Sequence, residues 1–221
     1  MEVWPFGNGS VLVLDLNGQY VYFYEALRNA VMGDASMLYS FARQLGGEFL
    51  GIYAYYIASP LSYLVCLFPK ERMLEGLTAL FMLKGALCGL TFGIYMHKTT
   101  KKPNKMAIII FAASYALCSY AIIQQHNTMW IDAVMWLPLI TLGIESVIKY
   151  GKFKLYVVSL AIAVFSNYYI GYMMCIFAVL YFLYYYFSKT SAEINPRAEK
   201  LHFVRAGTRF AIFSILAAAI S

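Results

Sequence analysis

Between Leu74 and Phe187 the chain alternates long apolar runs with short polar connections, and this alternation limits the fold more than any other feature. Several runs reach the ~17–25 residues that a helix needs to cross a bilayer. They lack the polar stripe that a helix packed on a soluble core carries. The hydrophobic share is 62% and the charged share 13%, against about 25% charged residues in soluble domains. The reading is an all-α polytopic membrane protein.

Spans are expected over 74–97, 106–123, 133–148, 155–166 and 173–187. The basic residues fall in alternate connections: Lys98, Lys101, Lys102 and Lys105; then Lys149, Lys152 and Lys154; then Lys189, Arg197, Lys200 and Arg205. "QQHNTMWID" and "NYYIGY" carry no Lys or Arg. The positive-inside rule makes the basic connections cytoplasmic and the other two external. It also explains the net charge of +6 without nucleic acid as a partner. The last apolar stretch, "RFAIFSILAAAIS", is short of span length, so a truncated last span and a longer parent protein are expected.

The region ahead of residue 74 is different. "PFGNGS" is turn chemistry. "LNGQYVYFYEALRNAVMG" reads as an amphipathic helix, with Tyr20, Phe23, Tyr24, Leu27 and Val31 at helical steps and Gly33 as its stop. Glu48–Pro69 is apolar but broken by Ser59-Pro60, and either spans or re-enters. The expected organisation is a loop region over 1–73 with amphipathic and re-entrant helices, then a helix bundle over 74–221.

Several polar groups call for a reason. Asp15 is either a helix cap or a carboxylate held at the membrane surface as a general base. Asp132 either caps the span that follows it or faces a cavity together with Gln124, Gln125, His126, Asn127 and Trp130. Amides and imidazole suit hydroxyl-rich ligands, and an indole face can stack on a sugar ring. Lys84 lies mid-run, where a lysine costs roughly 2.5–3.5 kcal/mol on insertion scales. It calls for a partner, either an ion pair or a lipid phosphate. Asn167 permits the tight turn in "FSNYYIGYMMC", where Tyr168, Tyr169 and Tyr172 are interface anchors or site residues. Cys66, Cys88, Cys118 and Cys175 lie in apolar runs and read as packing residues. His126 with one acid six residues away is poor metal-ligand spacing, and no nucleotide-binding, zinc-protease or nucleophile-elbow motif occurs.

"DLNGQY", "LGGEFLGIYAYYIASPLSYLVCLFPK", "LKGALCGLTFGIYM", "SYALCSYAIIQQHNTMWIDAVMWLPLITLGIE" and "SNYYIGYMMCIFAVLYFLYYY", in that order, resemble the N-terminal part of the bacterial YfhO family. The resemblance covers nearly the whole chain. It implies a multi-pass protein of the bacterial plasma membrane, similar to C-type glycosyltransferases, which transfer a sugar from a polyprenyl phosphate on the outer face of the membrane. In this family the implied acceptors are cell-wall polymers such as teichoic acid. It implies that Asp15 matches the essential acid of the first external loop, and that Glu48–Pro69 belongs to the same external region. Family members also carry a helix ahead of the "PFG" stretch, further spans and an external C-terminal domain.

Residue chemistry and resemblance together give one expected scheme, with no cofactor. Asp15 is the catalytic base. Gln19, Tyr20, Arg28, Lys84, His126, Asn127, Trp130, Asp132, Asn167, Tyr168 and Tyr169 contact substrate, with Arg28 and Lys84 near the leaving phosphate. The alternatives are a transporter or flippase of lipid-linked sugars, or a non-catalytic fragment.

Overall fold

A computed structural model describes residues 7, 9–40 and 46–221, so Pro5, Phe6 and Asn8 of the "PFGNGS" turn lie outside the described residues. A π-helical turn over Leu16–Tyr20 runs into α1 (Val21–Met32), which stops at Gly33 with φ 89°. Only a residue without Cβ takes that angle cheaply. Leu16, Tyr20, Tyr24 and Leu27 form the buried face, whereas Val31 is exposed. Two short strands, β1 (Tyr39–Ser40) and β2 (Gly47–Glu48), pair antiparallel after it.

The broken apolar stretch is a bent hairpin. Its first arm is α2 (Leu50–Ile52), widening into a π turn over Tyr53–Ile57. Its second arm is a 3-10 helix over Pro60–Leu67. Pro60 has no N–H to continue the first arm, and the arms meet at 99°. At 1.5–2.0 Å per residue such a hairpin reaches roughly 20 Å, short of the ~30 Å hydrocarbon layer. A pair bent this sharply is either a broken span or a re-entrant segment. It packs with α1 into one core around Leu27, Phe49, Ile57, Val65, Leu77 and Met129.

The bundle follows. It consists of α3 (Met73–Thr99), α4 (Lys105–Ala116), α5 (Ser119–Ile123), α6 (Thr128–Tyr150), α7 (Lys154–Ser166), α8 (Tyr168–Ser188), the short α9 (Ser191–Ile194) and α10 (His202–Ile220). Among the described residues four helices are long and apolar enough to cross a membrane: Lys70–Thr99, Thr128–Tyr150, Tyr168–Ser188 and His202–Ile220. The central one is α6, which packs against α3, α7, α8 and α10. The chain is therefore an all-α multi-pass membrane protein with its apolar outer faces turned to lipid.

Small residues and polar ties set the spacing within the bundle. A Cβ on Gly143 would stand 2.6 Å from the Tyr156 backbone, so glycine lets α6 and α7 touch. Gly171 does the same for α8 against Val164 of α7. Pro138 cannot donate to the carbonyl of Val134 inside α6. The Tyr115 hydroxyl donates to that carbonyl instead, at 2.7 Å. Polar backbone at membrane depth needs such a replacement partner.

Four expected boundaries change. The 106–123 run is two helices, broken at Leu117-Cys118. The 133–148 span starts earlier, at Thr128, and the 173–187 span starts at Tyr168. The last apolar stretch belongs to a helix that starts at His202 and reaches 19 residues, which is span length.

Candidate functional site

The bundle has a basic end, where the lysine-rich connections lie. At the opposite end α1, the bent hairpin, the Asn127 connection and the Asn167 connection meet. This hairpin end collects most of the polar residues singled out above.

Asp15 stands at the start of the π turn and is exposed. Its side chain makes no capping hydrogen bond, so the capping alternative fails. Leu14 just ahead has φ 48°, a left-handed angle that costs a non-glycine residue roughly 1–2 kcal/mol. Strained backbone and π turns both gather at functional sites. The Tyr20 hydroxyl lies 3.1 Å from Asn127 Oδ1 and 3.4 Å from Asp15 Oδ2. It has one proton, and the shorter contact takes it. Burial, and next the negative charge of Asp15, raise the Tyr20 phenol well above its usual range, so it stays protonated.

The connection into α6 and its first residue carry the rest of the network. Asn127 Nδ2 donates to Gln124 Oε1 at 2.8 Å and faces His126 Nε2 at 3.1 Å. His126 Nδ1 lies 3.0 Å from the carbonyl of Ile123. The tautomer with its proton on Nδ1 serves both contacts. Thr128 Oγ1 and the Tyr24 hydroxyl are 2.6 Å apart, which fixes α1 to α6.

One turn further in, Asp132 is 1% exposed. It receives Lys84 Nζ at 2.8 Å and Ser59 Oγ at 3.0 Å. Lys84 Nζ also donates to the carbonyl of Thr128 at 2.8 Å. Asn127 stands at the N-cap position, so the reading of Asp132 as a cap is corrected. Its acidity answers a mid-span lysine. Lys84 is correspondingly engaged by protein rather than held free for a phosphate. The three side chains pin α3, α6 and the elbow of the hairpin at one point.

Aromatic rings cover the other flank. Tyr56 packs 5.2 Å from Tyr20 and 4.6 Å from Tyr55, centroid to centroid. Tyr55 reaches Tyr168 at 5.6 Å and Tyr169 at 6.4 Å. Both of the latter are substantially exposed, at 59% and 47%. Asn167 accepts from Ile170 N at 2.8 Å, capping α8, and donates to the carbonyl of Tyr55 at 2.7 Å. Trp130 packs on the hairpin core, and its buried Nε1 meets no acceptor in hydrogen-bonding geometry, although the Tyr55 hydroxyl is an electrostatic neighbour.

Tyr20, Asn127 and His126 are thus joined through hydrogen bonds, with Asp15 beside the Tyr20 hydroxyl, and Tyr168 and Tyr169 are joined through edge-on and tilted rings. Gln19 is exposed beside them on the π turn. Arg28 is not brought in. It lies thirteen residues along from Asp15, roughly 20 Å at helical rise. Its Nε donates to the carbonyl of Phe68 at 2.8 Å. Sequence reading missed Tyr24, Thr128 and Ser59, whose roles exist only across elements. The Ser59-Pro60 break was the one signal for Ser59. Among the described residues no cluster of three or more His, Cys, Asp or Glu has a metal-binding arrangement.

A cavity of about 340 Å³ opens between α3, α5 and α6, apolar except at Lys84, Gln125 and Thr128. No curated protein and no solved structure matches the chain. The family model described as "Bacterial membrane protein YfhO" matches residues 1–221, the whole chain, and the protein therefore belongs to the YfhO family of bacterial membrane proteins.

Proposed function

We propose that the protein is, or forms part of, a membrane glycosyltransferase that moves a sugar from a polyprenyl phosphate to a cell-wall polymer on the outer face. The observation that carries this reading is Asp15: an exposed carboxylate directly after the left-handed Leu14, with no capping hydrogen bond, beside a polar and aromatic rim. The hairpin end is the external one in this reading, because the Lys/Arg-free connections lie there.

Asp15 accepts the proton of the acceptor hydroxyl as its oxygen bonds to the anomeric carbon. The bond from that carbon to the phosphate oxygen breaks, and polyprenyl phosphate leaves with the electron pair. One displacement inverts the anomeric configuration. A positioned base contributes roughly 10²–10⁴-fold. Tyr168, Tyr169 and Tyr55 offer ring faces to a sugar, while Asn127, His126 and Gln19 offer hydrogen bonds. Lys84, Asp132 and Asn167 act by holding α3, α6, α8 and the hairpin in register. The apolar cavity beside Gln125 is suited to an isoprenoid chain entering from the side.

The rival reading is movement of the lipid-linked sugar, favoured by that lateral cavity and by the broken α4–α5 pair. Vesicles holding the protein and a labelled polyprenyl-phosphate sugar, with wall polymer outside, separate the two. Labelled polymer with inverted anomeric configuration supports transfer. Donor that changes leaflet while the polymer stays unlabelled overturns it.

A further inference from the structure

At the basic end, the last turns of α3, α6 and α8 and the short α9 enclose a polar cavity of about 550 Å³ that plays no part in the scheme above. Lys101, Lys149 and Lys189 line it. Its buried acid is Glu145, which receives the Tyr181 hydroxyl at 2.9 Å and the Tyr95 hydroxyl at 3.4 Å. Lys149 stands 3.9 Å from Glu145 and 5.4 Å over the Tyr185 ring. Lys189 stands over the same ring at 5.9 Å and forms no salt bridge among the described residues. Lys101 faces Glu193 at 3.7 Å, with 92% of its side chain exposed. None of these contacts closes as Lys84 does on Asp132. Three ammoniums against two carboxylates leave an excess of positive charge.

Helix C-termini attract lysines without any ligand, since their carbonyls carry partial negative charge. That accounts for the cations but not for the shape of the space. An apolar slot of about 130 Å³, lined by Phe92, Tyr115, Pro138 and Phe177, shares Tyr95 as a wall with the polar cavity. The slot points from the helix ends toward mid-bundle, between α3 and α8 over α6. A charged chamber at the helix ends beside an apolar slot directed into the bundle suits an amphiphile. Basic pockets between transmembrane helices take anionic headgroups.

We propose that this crevice holds an anionic glycerophospholipid of the adjoining leaflet, its phosphate against Lys149 and Lys189 and its chain along Tyr95 and Phe177. The site depends on membrane embedding alone and stands whether or not the protein transfers sugar.

Native mass spectrometry of the full chain in detergent tests it, with phosphatidylglycerol and phosphatidylcholine of identical chains as probes. Wild type should retain phosphatidylglycerol preferentially. Lys149→Gln/Lys189→Gln should lose retention by roughly thirtyfold, from the loss of two basic contacts. Lys98→Gln/Lys102→Gln, which alters charge at the same end outside the cavity, should keep it. Helical content by circular dichroism checks that each variant is folded. Equal retention of the two lipids, equal losses in both double variants, or displacement of the lipid by millimolar inorganic phosphate would each overturn the proposal.

Discussion

Removing one partner of the Lys84–Asp132 pair should damage the protein far more than removing both. The ammonium and the carboxylate are 2.8 Å apart, and each residue is 1% exposed. Lys84→Met leaves the Asp132 carboxylate with only the Ser59 hydroxyl. Asp132→Leu leaves the ammonium with only the carbonyl of Thr128. Breaking a buried pair in this way costs about 3–5 kcal/mol, whereas replacing both partners with apolar side chains of similar volume is near neutral. Against a total stability of about 5–15 kcal/mol, the single changes are severe. Denaturant unfolding in detergent micelles, followed by circular dichroism, should place both single variants well below wild type. Lys84→Met/Asp132→Leu should recover most of the loss, giving a coupling energy of several kcal/mol. Single variants as stable as wild type would show that the pair is not buried. A double variant that folds like wild type yet transfers no sugar would give the lysine or the acid a chemical role and refute the positioning one.

Two further outcomes follow from packing. Gly143→Ala places a Cβ 2.6 Å from the Tyr156 backbone, so α7 must move away from α6. Overpacking of this kind costs about 1–3 kcal/mol, read as a lower unfolding midpoint, while the same change at Gly85, which has open space, should be nearly silent. Tyr115→Phe strips the Val134 carbonyl of the donor that replaces the one Pro138 lacks. Leaving that carbonyl unsatisfied costs about 1–3 kcal/mol, and Tyr115→Phe/Pro138→Ala should recover part of it by restoring the helix's own bond.

The features legible in the sequence were those written locally. Apolar runs, alternating basic connections, the amphipathic helix closed by Gly33 and the Ser59-Pro60 break all depend on neighbouring residues alone. What was illegible depends on partners far along the chain. Thr128, Trp130 and Asp132 read as loop because they are polar. Tyr24, Lys84 and Ser59 satisfy Thr128 and Asp132 from three other elements, so the helix runs through them. The break at Leu117-Cys118 falls in an apolar run with no Gly or Pro, and nothing local marks it. The need of Lys84 for a partner was plain from its place in a span, but the partner's identity was not. The site was legible as a set of residue types. Its geometry was not, because Tyr20 and Asn127 meet across a separation of 107 residues.

Sugar transfer by the reconstituted protein carrying Asp15→Asn tests the central claim most directly, with donor retention measured on the same samples. Asparagine keeps the size of the side chain and one acceptor oxygen but cannot take up the proton. The account predicts donor retention close to wild type with transfer reduced by roughly 10²-fold or more, and partial recovery in Asp15→Glu. Transfer that survives Asp15→Asn undiminished would contradict it and remove Asp15 from the chemistry.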